Sequence, residues 1–119
     1  MHPTIYYTKR LISELNSKYK VLLFCDFHGH SKKQIIFYNK QLKNYRRDMF
    51  LYGCQVGNLP LETREFAWIL SKVSPLFSYR KSSFYLENKK MGTARINIYQ
   101  ELKIKYSYTL ETSFYGSEV

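Results

Sequence analysis

The chain has 119 residues, enough for one domain or part of one, and 45% of them are hydrophobic. That content excludes a disordered chain, and three Pro and five Gly exclude a linker or fibrous class. Nineteen Lys and Arg against nine Asp and Glu leave a net charge of +10, a field that attracts polyanions without choosing among nucleic acid, anionic lipid and acidic protein tails. No apolar run reaches the length of about 18 residues that a membrane span needs. The N-terminus, MHPTIYYTKR, has no apolar core of the signal-peptide kind. The two cysteines, Cys25 and Cys54, are expected as buried reduced thiols, which suits a cytoplasmic compartment.

In chain order, residues 3–17 are expected to form a helix, with Pro3 in its first turn and Ile5, Leu11, Ile12 and Leu15 approximating one apolar face. Lys20 to Phe27 is expected as a strand buried on both faces. It leads into Asp26, Phe27, His28, Gly29 and His30. On a strand, Asp26, His28 and His30 share one face, so three groups able to bind metal or move protons converge there. Each could be a ligand, a supporting hydrogen-bond partner or a structural residue, and D-x-H-x-H alone does not complete a zinc site. Residues 32–48 carry a basic surface, with a short strand expected at Ile35 to Tyr38. MFLYGC is expected as a strand. Leu61 to Ser74 is expected as a helix with acidic residues in its first turn and a stripe of Phe66, Ile69, Leu70 and Val73.

The last third is expected to be β-like. Alternation over Ala94 to Tyr99 sets Arg95 and Asn97 opposite Ile96 and Ile98. In the final strand, Tyr106, Tyr108 and Leu110 share one face and Ser107, Thr109 and Glu111 the other. Glu111 is the one carboxylate in that strand, either a general base for a metal site or a surface residue at a strand end. Helix and apolar strand in succession indicate an α/β fold with a mixed sheet and flanking helices.

Four motifs in order, CDFHGHSKK, SPLFSYR after a helix, KKMGTAR and YSYTLETSFYG, together with PTIYYTKRLI at the start, closely resemble the cytosolic carboxypeptidases. That subfamily of zinc metallocarboxypeptidases trims glutamates from protein tails, notably those of tubulin. The resemblance covers nearly the whole chain and implies that residues 1–119 are the C-terminal half of the catalytic domain. It implies that His28 is the last of three ligands to one zinc ion, and that Glu111 is the catalytic carboxylate. It further implies that Arg95 meets the acidic side chain being removed and that His30 lines the cleft as a substrate-binding residue. Acidic, tubulin-like protein tails are the expected partners, and neither a membrane nor nucleic acid is expected.

Two features depart from the family pattern. No H-x-x-E occurs in the chain, and the Asn-Arg region that holds the substrate's terminal carboxylate is missing, so both are expected upstream of Met1. The chain alone is then expected to be inactive. About a dozen extra residues, roughly 35–47, also stand as an apparent insertion between Lys33 and MFLYGC. The alternative functional reading is a non-catalytic basic binding module, or a pseudoenzyme fragment, that binds acidic protein or nucleic acid.

Overall fold

A computed structural model of the chain describes residues 2–30, 49–55, 61–86 and 90–113. The basic segment 32–48, with its expected strand and insertion, lies outside the described residues. The described elements are α1 (Pro3–Lys18), β1 (Leu23–His30), β2 (Met49–Gln55), α2 (Glu62–Val73), β3 (Ser83–Tyr85), α3 (Ala94–Leu102) and β4 (Tyr106–Ser113), with a short 3-10 turn at Tyr79–Lys81. The strands form one mixed sheet in the order β1-β4-β2-β3. β1 runs parallel to β4, β4 antiparallel to β2, and β2 parallel to β3. With helices flanking it, the sheet is the expected α/β architecture.

β4 organises the sheet, since it is paired on both sides and its residues Ser107 to Leu110 are buried on both faces. The alternation expected for it is met. Tyr108 is fully buried, donates its hydroxyl to the Thr63 carbonyl of α2 at 2.7 Å, and stacks on Phe66. From the other face, the Ser107 hydroxyl donates to the Arg95 carbonyl of α3 at 2.7 Å. The helices α2 and α3 therefore cover opposite faces. The α2 side holds Leu51, Ala67, Phe77, Phe84, Tyr108 and Leu110 as one apolar core. Gly53 is required there, because a Cβ on it would lie 2.6 Å from the Phe84 ring and 3.1 Å from that of Tyr108.

Three expectations are corrected. β1 is an edge strand, paired only with β4 among the described residues, so it is not buried on both faces; Phe27 is 73% exposed. Continuous apolar sequence is a sign of a central strand only when a neighbour lies on each side. The α2 stripe is turned about its axis. Thr63, Phe66, Ala67 and Leu70 meet the core, while Ile69 and Val73 stay exposed. The segment starting at Ala94 is a helix, not a strand. Its alternation of Ile96 and Ile98 covers only a few residues, and a three-to-four-residue stagger places Arg95, Ile96 and Ile98 all inside. The Thr93 carbonyl accepts from the amides of Ile96 and Asn97 to start the helix, and Lys103 closes it in the left-handed conformation with φ 56°.

α1 forms where expected but buries none of its residues among those described. It is tied to α3 by the Lys9–Glu101 ion pair and by Asn16, whose amide donates to the Leu102 carbonyl at 3.1 Å. The Asn16 carbonyl oxygen accepts from the Val21 amide at 3.2 Å, which turns the chain into β1.

Both cysteines are free thiols; Cys54 is buried as expected, whereas Cys25, on the edge strand β1, is only half-buried. Burial pushes the Cys54 thiol up to about 11 from an ordinary 9.0, against the opposing pull of the Arg95 charge, and burial also raises the Tyr108 phenol. Both groups stay neutral in the fold at a pH where the unfolded chain ionises. Their stabilising contribution is complete below pH 9 and declines as pH rises toward 11. Thermal unfolding followed by circular dichroism should show the melting temperature falling over that window, with a shallower fall in Cys54→Ala.

Candidate active site

His28 and Glu111 face each other directly across the parallel β1–β4 pair. In register on adjacent strands, two side chains emerge on the same face about 5 Å apart. Here that is the α3 face, shared with Asp26, Thr109 and Ser107. The His28 Nδ1 atom lies 3.7 Å from Glu111 Oε1, too far for a hydrogen bond. Its Nε2 lies 3.0 Å from Asp26 Oδ2, a good hydrogen bond. If Nε2 carries the proton and donates to Asp26, Nδ1 presents a lone pair toward the Glu111 carboxylate.

The strand geometry makes this arrangement. Asp26 and His28 are two residues apart, so their side chains project side by side, and the carboxylate fixes both the tautomer and the ring orientation. Asp26, which the sequence leaves open among several roles, is thus the residue that orients His28. The imidazole is half exposed, whereas the Glu111 side chain is only 15% exposed. Glu111 gains that shelter from β4's central position, with Phe50 of β2 as its neighbour on the other side.

His30 continues the same face at the end of β1, its ring tilted against Phe50 with centroids 5.2 Å apart. Phe50 is also edge-on to Tyr52 at 5.5 Å, so an aromatic row runs from His30 along β2. Arg95 comes from α3 and is 3% exposed, so it is neither on a strand nor facing solvent. Its Nε donates to the Gly53 carbonyl at 3.3 Å and its Nη1 to Thr93 Oγ1 at 3.5 Å. Its guanidinium lies 5.4 Å from the Tyr52 ring centroid, and Lys90 Nζ lies 4.5 Å from the same ring. Gly53 is three residues along β2 from Phe50, which places Arg95's anchor roughly 10 Å along the strand from Glu111. The structure therefore brings Asp26, His28 and Glu111 together, sets His30 beside them, and holds Arg95 further along the same face. Tyr52, the ring under both cations, carries no sequence signal beyond aromatic content.

Among the described residues no group of three His, Cys, Asp or Glu side chains could hold a metal ion. The pair supplies one imidazole and one carboxylate. No described helix is long and apolar enough to cross a membrane.

The described part of the site is thus a mixed α/β sheet on which an imidazole and a sheltered carboxylate face each other across adjacent strands. No family model matches the sequence. The chain is 39% identical over 118 residues to cytosolic carboxypeptidase 2 of Mus musculus, covering 97% of this chain and 12% of the relative. It is 36% identical over 122 residues to cytosolic carboxypeptidase 4 of Mus musculus (98% and 11%), and 34% identical over 134 residues to cytosolic carboxypeptidase 1 of Danio rerio (99% and 10%). The chain belongs to the cytosolic carboxypeptidase family. It spans about a tenth of the length of the curated relatives it matches.

Proposed function

We propose that the chain forms one wall of the catalytic centre of a cytoplasmic, zinc-dependent metallocarboxypeptidase that removes glutamate from the C-terminal tails of acidic proteins such as tubulin. The observation that carries this is the His28 Nδ1 atom held toward the Glu111 carboxylate by the Asp26 hydrogen bond. In this reading residues 1–119 are part of a catalytic domain, and His28 is one of three ligands, with the other two outside the described residues. Zinc, when bound, acts as a Lewis acid and makes water acidic near neutral pH. Glu111 accepts a proton from the attacking water and returns it to the departing amine.

Arg95 is proposed to attract the acidic side chain being removed, supported by a positive charge held in low dielectric against Tyr52. His30 is proposed to line the cleft. The net charge of +10 draws acidic tails to the surface, and more strongly at low salt. With one imidazole ligand and no H-x-x-E, the 119-residue chain alone is proposed to be inactive.

The test joins residues 1–119 to the H-x-x-E half of a relative and measures zinc content and affinity. His28→Ala should abolish stoichiometric zinc, and Asp26→Ala should weaken zinc by about 10–100-fold by releasing the imidazole. Zinc bound equally well by His28→Ala would reject the assignment.

A further inference from the structure

A second cationic site lies on the other face of the sheet. The α2 side carries a cleft of about 350 Å³ lined by Arg64, Tyr79, Arg80, Phe84 and Tyr85. Arg64 comes from the first turns of α2, and its Nε and Nη2 both donate to Gln55 Oε1, at 2.9 and 2.6 Å. Its guanidinium also lies 5.4 Å from the Phe84 ring centroid and 5.7 Å from that of Tyr85. Fixed by one acceptor and two rings, it loses little freedom when its remaining N–H groups meet an anion. Arg80, exposed on the 3-10 turn, is held by that turn's own bonds. Ser78 Oγ accepts from the Lys81 amide, and the Ser82 hydroxyl donates to the Ser78 carbonyl while accepting from the Leu51 amide. Neither Arg64 nor Arg80 has a carboxylate partner among the described residues. Two guanidinium groups on one cleft, with no carboxylate partner among the described residues, suit an anionic ligand.

The cleft runs beside β3, the other edge of the sheet, which is paired only with β2 among the described residues. An open strand edge accepts an extended peptide through backbone hydrogen bonds, and pockets beside it select side chains. We propose that an acidic peptide adds to the β3 edge as an extended strand, with a side-chain carboxylate held by Arg64 and Arg80 and the exposed Tyr85 ring packing on its backbone. A planar carboxylate suits the forked edge of a stacked guanidinium, and the charge of +10 supplies the long-range attraction. The site lies on the opposite sheet face from His28 and Glu111, so it acts as a docking site and does not depend on the hydrolytic reading.

The experiment uses the whole chain and fluorescein-labelled, C-terminally amidated octaglutamate and octaglutamine peptides, followed by fluorescence anisotropy at physiological ionic strength. Blocking the C-terminus removes any requirement for a carboxypeptidase centre. The octaglutamate peptide should bind at least about tenfold more tightly than octaglutamine, and Arg80→Glu should weaken it by about tenfold or more. Lys18→Glu, the same change of charge on α1, should alter binding by no more than about twofold. Arg64→Lys, which keeps the charge and loses the fork, should also weaken binding. Hydrogen exchange at Ser83 to Tyr85 should slow in the complex. Equal weakening by Arg80→Glu and Lys18→Glu would mean diffuse charge attraction and would overturn the proposal. So would unchanged exchange in β3, or octaglutamine binding as tightly as octaglutamate.

Discussion

Glu111→Gln, in residues 1–119 joined to the H-x-x-E half of a relative, should lower turnover of a glutamate-ending peptide by about 10²–10⁴-fold, the contribution of a well-placed general base. The amide keeps the size of the side chain and loses only the ability to take a proton. Because Glu111 is not one of the proposed ligands, bound zinc should stay stoichiometric. KM should change little, since the substitution acts on the transition state more than on ground-state binding. The geometry makes the outcome sharp. Glu111 Oε1 faces an imidazole nitrogen at 3.7 Å on the neighbouring strand, and no other described carboxylate faces that nitrogen. Asp26 is at the opposite nitrogen of the same ring and cannot substitute for it. Turnover retained in Glu111→Gln would remove Glu111 as the base.

The strand-end chemistry was legible from residue spacing because strands have a fixed period. Asp26, His28 and His30 had to share a face, as did Ser107, Thr109 and Glu111. Which strands are neighbours is a tertiary fact, and the meeting of His28 with Glu111 came from family resemblance and not from periodicity. The errors have local causes. Ile96 and Ile98 alternate like a strand, yet three buried residues in four, Arg95 included, belong to a helix lying on the sheet. A buried Arg reads as polar in any pattern, so its burial inverts the face that the sequence assigns to it. The α2 stripe was misphased because the residues that face the core include Thr63 and Ala67, whose small or polar side chains give no hydrophobic signal. Ala67 is needed where the helix comes close to the sheet, and Thr63 lends its carbonyl to Tyr108. The identity of β1 as an edge strand is likewise invisible locally. Its apolar residues are the same whether or not another strand lies beyond them.

Tyr108→Ala should cost the fold about 3–5 kcal/mol, the range for deleting a large buried ring. Tyr108 is the largest fully buried side chain described, and it sits on the central strand at the point where α2 meets the sheet. Its ring stacks on Phe66 at 5.4 Å and closes against Gly53, while its hydroxyl satisfies the Thr63 carbonyl. Removing the side chain opens a cavity lined by rings that cannot collapse into it, and it leaves a buried carbonyl without its donor. A domain of this size is stable by about 5–15 kcal/mol, so the loss takes away a large share of the whole. With a urea dependence of about 2 kcal/mol per molar, the unfolding midpoint should fall by roughly 2 M, or the variant should be unfolded in buffer. Tyr108→Phe separates the two contributions, because it keeps the ring and loses only the bond to Thr63, at about 1–3 kcal/mol. The order wild type, Phe, Ala in urea midpoints is therefore required. A Phe variant as unstable as the Ala variant would place the energy in the hydroxyl and reject the stacked ring as the anchor of α2.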